Sequence, residues 1–186
     1  MKNSETALAK AAGIKVVVFD VDGVLTDGKI YMGPQGEAMK AFSARDGMGI
    51  TMLHKGGIAT AIITGRESAI VANRAKELKI AKVWQGCQDK RQAWQELLDQ
   101  LQVAPEEIAY MGDDLNDLPL LSLAGLPATV VDGVPEVQQI ADFVSDFQGG
   151  AGAVRELAQF ILQAQNKWED LTKNFVGVAT MEQVAQ

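Results

Sequence analysis

The sequence predicts an α/β fold, a Rossmann-like parallel sheet covered by helices on both faces, and three observations point to it. Five short apolar runs alternate with segments of helical periodicity, the pattern of strands buried on both sides. Polar residues gather at the carboxyl ends of several of those runs, where ligands bind in open α/β sheets. One segment, 29–43, breaks the alternation with turn chemistry in place of a helix.

In chain order, the strands are expected at 15–20, 59–64, 82–85, 108–112 and 128–131, and the helices at 47–55, 67–78, 90–101, 116–123 and 153–165. The last helix carries Val154, Leu157, Ile161 and Leu162 as a stripe facing the sheet. Right-handed crossovers follow from chain handedness. Residues 29–32 and 38–42 flank Gly33-Pro34-Gln35-Gly36 and read as a β-hairpin inserted after the first strand. A lone hairpin is marginal in water, so Ile30, Met32, Met39 and Phe42 need another surface, a neighbouring subunit ahead of the same chain.

The 186 residues, 47% of them hydrophobic, suit one domain with a substantial core. The expected organisation is a single domain over 1–186, with the hairpin at about 29–43 and a tail from about 167 that loses periodicity, mobile or ordered against a partner. A formal charge of -7 argues against a nonspecific nucleic-acid surface, and a small anionic substrate would need local cations. Cys87 is the only cysteine, which excludes an intrachain disulfide and favours a reducing compartment; as a residue it reads as a small buried filler. The N-terminal residues lack the apolar core of a secretory signal, and no apolar run approaches the ~20 residues of a membrane span. A cytoplasmic protein without membrane contact is the expectation.

The run Asp20-Val21-Asp22-Gly23 places two carboxylates at the end of the first strand. Adjacent anions in a compact fold need a cation or a shared proton, and hard oxygen ligands suit Mg²⁺. In a phosphoryl-transfer reading, Asp20 attacks phosphorus, and Asp22 protonates the leaving oxygen and then activates water. Asp113 completes a metal site with Asp20, a backbone carbonyl and waters, so that Asp20, Asp22 and Asp113 form the metal-binding set. Asp114 and Asp117 hold the metal's waters from behind. Thr64, nearby N–H groups and Lys90 bind the phosphoryl oxygens.

Each motif also has a plainer reading. Asp-x-Asp-Gly occurs in Ca²⁺ loops, but the EF-hand pattern fails because no Glu stands twelfth from Asp20 or Asp22. Thr64-Gly65 is ordinary turn chemistry, Lys90 could be a solvated charge, and the 112–117 cluster could be a helix cap. Taken jointly, at successive strand ends, the catalytic reading is favoured. Residues 149–155 could present N–H groups to an anion or form a flexible loop. His54 reads as structural or exposed, and Trp84, Trp94 and Trp168 as packing residues.

The four segments resemble the four motifs of the haloacid dehalogenase superfamily of phosphohydrolases: Asp20-Val21-Asp22-Gly23, Thr64, Lys90 and Gly112-Asp113-Asp114-Leu115-Asn116-Asp117, within about 16–144. Asp at position 22 is what that superfamily's phosphatases show. A narrower resemblance, carried by residues 23–28, the hairpin, Arg45-Asp46-Gly47-Met48-Gly49 and Thr64-Gly65-Arg66-Glu67-Ser68, is to phosphatases of 3-deoxy-D-manno-octulosonate 8-phosphate. It implies no separate cap domain, in agreement with the short gaps between motifs, and a homotetramer in which hairpins meet and neighbours help close each site. It also implies a Mg²⁺-dependent reaction on an eight-carbon sugar-acid phosphate, in the cytoplasm and on the route to lipopolysaccharide.

Substrate contacts are expected from Arg66, Ser68 and Arg74. Arg66, Ile70 and Arg74 follow at intervals of four along the predicted helix, which puts both guanidinium groups on one face, and Arg66 would clamp a carboxylate. Arg74, with Lys76 and Lys79, could instead be solvated. Arg66 after Thr64-Gly65 favours the eight-carbon acid over a nine-carbon sialic-type sugar phosphate, which stays an alternative. A phosphotransferase and a non-catalytic oligomeric module of the same fold remain open as well.

Overall fold

The structure, a computed structural model, describes residues 5–176. Helix α1 (Glu5–Ala12) leads into β1 (Val16–Phe19), the hairpin β2 (Tyr31–Gly33) and β3 (Gly36–Met39), and α2 (Ala44–Lys55). There follow β4 (Ala59–Ile63), α3 (Ala69–Glu77), β5 (Lys82–Trp84), α4 (Lys90–Leu101) and β6 (Ile108–Met111). The chain continues through α5 (Leu118–Leu121), β7 (Leu126–Thr129), α6 (Pro135–Ile140), β8 (Phe143–Val144), α7 (Ala153–Ala164) and α8 (Trp168–Val176).

Six strands form one parallel sheet in the order β5-β4-β1-β6-β7-β8. β1 lies inside it, with Val18 opposite Ala61 on one side and Tyr110 on the other. Alternation along β1 divides the core. Val17 and Phe19 pack with residues of α1, α2, α3 and α7, while Val16 and Val18 pack with residues of α4, α5 and α6. Both layers are apolar, which is why the strands read as runs rather than as alternating patterns.

All five predicted strands are present, but the last begins earlier than expected, at Leu126. Val131 is drawn out of the sheet, its N–H donating to the Phe147 carbonyl. Helices α2 and α3 start where Ser43 and Ser68 cap them. The helix expected at 116–123 is a 3₁₀ turn, Leu115–Asp117, running into the single α-turn of α5. Elements α1, α6 and β8 had no counterpart in the expected pattern. The expected tail begins as α8, with Trp168 and Leu171 packed on the core, and Arg155 stacked 4.7 Å over the Trp168 ring. Its remainder, 177–186, lies outside the described residues.

The hairpin turns at Pro34-Gln35 between two glycines that belong to the strands. Ile30, Met32 and Met39 stay 48%, 64% and 56% exposed, whereas Phe42 turns inward onto the same chain's core beneath Arg74. Among the described residues no helix is long and apolar enough to cross a membrane.

Candidate active site

Asp20, Thr64 and Gly112 immediately follow β1, β4 and β6, three neighbouring strands, so their groups converge by topology. Past β1 the chain turns at Val21, whose carbonyl accepts the N–H groups of Val24, Leu25 and Thr26. Gly23 holds φ +89° there, and a Cβ on it would stand 2.0 Å from Asp113 Oδ2. Only glycine lets the two acidic segments approach so closely.

Lys90 opens α4, and its ammonium points into the sheet end rather than to solvent. It bonds Asp117 Oδ1 at 2.6 Å and the Tyr110 hydroxyl at 3.2 Å, and lies 3.0 Å from Asp20 Oδ1. Burial works against its charge, yet Asp20 and Asp117 hold its pKa above the usual lysine value. Tyr110 donates to Asp117 Oδ1 at 2.6 Å, and its own ionisation is pushed far up, first by burial and then by Asp117 and Asp20. The expected role of Lys90 was phosphoryl binding; here its ammonium is engaged by three protein groups, Asp117, Tyr110 and Asp20.

The second oxygen of Asp117 accepts the N–H groups of Asp113, at 2.9 Å, and Asp114, at 3.2 Å. Asp117 therefore shapes the loop that aims Asp113, with both its oxygens occupied. Asp114 points outward and caps the 3₁₀ turn through Leu115 N–H.

Ligand oxygens of Asp20, Asp113 and Asp117 all lie within 4.8 Å of one another. Asp20 Oδ1 and Asp113 Oδ1 are buried without a well-formed hydrogen bond, an arrangement that invites a cation. Burial, then the Asp117 charge, raises Asp20 to about 6 against the opposing pull of Lys90. Burial and the Asp117, Asp20 and Asp114 charges raise Asp113 to about 8. Two hard carboxylate oxygens, neither of them in a well-formed hydrogen bond and both on groups whose proton affinity is raised, suit a divalent cation such as Mg²⁺.

Asp22 does not join this cluster through its side chain. Its carboxylate turns toward the hairpin, where Oδ1 accepts from Lys40 and Oδ2 lies 3.7 Å from Arg66 Nε. Among the metal set expected from sequence, the side chains of Asp20 and Asp113 converge and that of Asp22 does not; only a main-chain carbonyl is left to it. Thr64 is buried, and its N–H and carbonyl are tied to Trp84 and Cys87, which fixes its turn against the one before α4.

The expectation that Arg66 and Arg74 share a helix face fails because Ser68 caps α3 and leaves Arg66 in the preceding loop. Arg66 is half exposed at the rim beside Asp22 and Glu37. Arg74 turns to α2, 2.8 Å from Glu77 and over Phe42. Ser68 donates its hydroxyl to Glu37 of the hairpin. The start of α7 meets an anion from within the chain: Asp46 accepts from the N–H groups of Gly152, at 3.2 Å, and Arg155, at 2.9 Å. His54 is structural, its ring bonded to Thr60 at 2.7 Å. Cys87 is half-buried rather than enclosed.

Residues 82–157 match the family of haloacid dehalogenase-like hydrolases. The 3-deoxy-D-manno-octulosonate 8-phosphate phosphatase KdsC of Yersinia pestis is 46% identical over 169 residues, 91% of this chain and 90% of that protein. KdsC of Escherichia coli K12 is 45% identical over 167 residues, 90% and 89% of the two chains. The crystal structure of the Moraxella catarrhalis 3-deoxy-D-manno-octulosonate 8-phosphate phosphatase, in complex with magnesium, phosphate and KDO, superposes with a TM-score of 0.88 at 41% identity, covering 91% of this chain and 97% of that one. The acidic cluster at the ends of β1 and β6 sits in a chain that belongs to the haloacid dehalogenase-like hydrolases and is a phosphatase of that family.

Proposed function

We propose that this phosphatase hydrolyses 3-deoxy-D-manno-octulosonate 8-phosphate to the free sugar acid and phosphate, as a Mg²⁺-dependent step toward lipopolysaccharide in the cytoplasm. The observation that carries the reading is a pair of buried carboxylate oxygens, Asp113 Oδ1 without a hydrogen bond and Asp20 Oδ1 facing Lys90 at 3.0 Å, in a chain so similar to phosphatases of that substrate. Asp20 and Asp113 would hold Mg²⁺, which when bound neutralises charge on the phosphoryl oxygens.

Asp20 attacks phosphorus, and the bond from phosphorus to the sugar oxygen breaks as an aspartyl-phosphate forms. Asp22 serves as the acid that passes a proton to the departing oxygen and then as the base that takes one from a water attacking phosphorus, which releases phosphate and restores Asp20. Lys90 keeps Asp20 ionised and aimed, and Asp117 with Tyr110 keeps Lys90 in place. Thr64 and the neighbouring N–H groups bind the phosphoryl group. Arg66 at the rim pairs with the substrate carboxylate. The exposed Ile30, Met32 and Met39 support assembly through the hairpin, as a homotetramer.

A panel of sugar phosphates tests the substrate: the eight-carbon acid should be turned over best, ahead of nine-carbon acids and neutral sugar phosphates. Arg66→Ala should reduce kcat/KM on the carboxylate substrate by about tenfold to a hundredfold while sparing neutral ones. Equal losses on both would remove Arg66 from substrate recognition. Metal binding has a separate readout. The unfolded chain releases the protons of Asp20 and Asp113 near the ordinary 3.8, while the metal-free folded chain keeps them until about 6 and about 8. The folded state then binds more protons across that window, so stability falls as pH rises from about 4 to about 8. Mg²⁺, which needs both groups ionised, should raise the melting temperature more at about pH 8 than at about pH 5, against a chelator control. A Mg²⁺ effect that does not grow with pH would count against these two ligands.

A further inference from the structure

We infer that Lys40 is a positioning residue for Asp22, by which the base of the hairpin sets the aim of the group that moves the proton. The inference rests on the proposed role of Asp22 in protonating the leaving oxygen. Lys40 lies one residue beyond β3, and its side chain is only 1% exposed. A buried ammonium persists only where anions surround it. Lys40 has two: Asp22 Oδ1, and Glu37 Oε1 of its own hairpin at 3.0 Å.

Glu37 is itself anchored. Its other oxygen accepts the Ser68 hydroxyl, Arg66 approaches its first oxygen at 3.8 Å, and the Ser68 N–H donates to the Gln85 side chain at 2.9 Å. The hairpin is thus tied to the start of α3 and to the end of β5, and Lys40 carries that tie to Asp22. Among the described residues Asp22 has no other strong anchor: Arg66 is 3.7 Å away, half exposed, and proposed to engage the substrate. Without Lys40 the Asp22 carboxyl would swing, while Asp20, Asp113 and Lys90, held from β1, β6 and α4, would keep their places.

The distinguishing measurement is the dependence of kcat/KM on the leaving group, since kcat/KM reports the steps up to departure of the alcohol. p-Nitrophenyl phosphate expels an oxygen that needs little protonation; a sugar or alkyl phosphate expels one that needs a proton. Lys40→Met, similar in length and uncharged, should lower kcat/KM on the alkyl phosphate by about tenfold to a hundredfold and on p-nitrophenyl phosphate by about twofold or less. In an Asp22→Asn background, Lys40→Met should add nothing to the leaving-group effect. A loss on both substrates alike, or one that persists undiminished in the Asp22→Asn background, would overturn the inference and leave Lys40 as a fold or substrate contact. Asp22→Asn alone separates the two levels. If it shows no leaving-group dependence, the proposed role of Asp22 fails; if it does and Lys40→Met does not, only the role of Lys40 fails.

Discussion

Asp20→Asn should abolish phosphate release, by on the order of 10³-fold or more, without unfolding the protein. The amide fills the same volume and cannot form the acyl phosphate. Its effect on stability runs opposite to its effect on activity. Asp20 holds its proton to about 6 in the folded chain against 3.8 in the unfolded one, because burial and the Asp117 charge outweigh Lys90. Ionising it within the metal-free fold therefore costs stability, increasingly so as pH passes from about 4 toward 6 and above. The variant should melt no lower than the parent near neutral pH in chelator, and higher if the cost dominates. A circular-dichroism melt with a phosphate-release assay checks both halves. Measurable turnover by a well-folded variant would remove Asp20 as the nucleophile.

Lys90→Met should be as damaging to activity and far more damaging to the fold. The substitution leaves Asp20, Asp117 and the Tyr110 hydroxyl packed together with no cation. Breaking a buried pair by removing one partner costs about 3–5 kcal/mol. Urea unfolding should show a loss of that size, and kcat/KM should fall by at least about a hundredfold, since Asp20 loses the cation that keeps it ionised. A loss within about 0.5 kcal/mol, typical of an exposed position, would mean that the ammonium is not confined as described. Asp20→Asn and Lys90→Met together separate the two partners: one carries the chemistry at some cost to the fold, the other supports both.

The sheet was legible because its strands are buried on both faces and read as unbroken apolar runs. The acidic and basic motifs were legible because topology puts strand ends side by side, so Asp20, Lys90, Asp113 and Asp117 could be gathered without coordinates. Part of what escaped has its cause in distance along the chain. Asp46 finds its donors 106 and 109 residues later, at Gly152 and Arg155, and nothing local marks it as a clamp. Lys40 and Glu37 carry no local mark of their role, because Asp22 and Ser68, which they hold, belong to other segments. Asp22 was placed in the metal-binding set without a direction for its side chain, which the turn at Val21 aims at the hairpin. Arg66 and Arg74 were paired by helical spacing, which failed once Ser68 started the helix after Arg66. Helices α1 and α6 and the two-residue β8 are too short for a periodic signal to stand out.

The inner place of β1 has a mechanical consequence. Strand ladders on both flanks fix the backbone that leads into Asp20, whereas among the described residues β2 and β3 have only each other as ladder partners. The strand before Asp20 is thus held by main-chain ladders, whereas the hairpin is fastened to the rest of the chain through side chains such as Lys40 and Glu37. In the proposed reaction such a division would let the rim yield to a bulky sugar acid while the Asp20 carboxylate keeps its place.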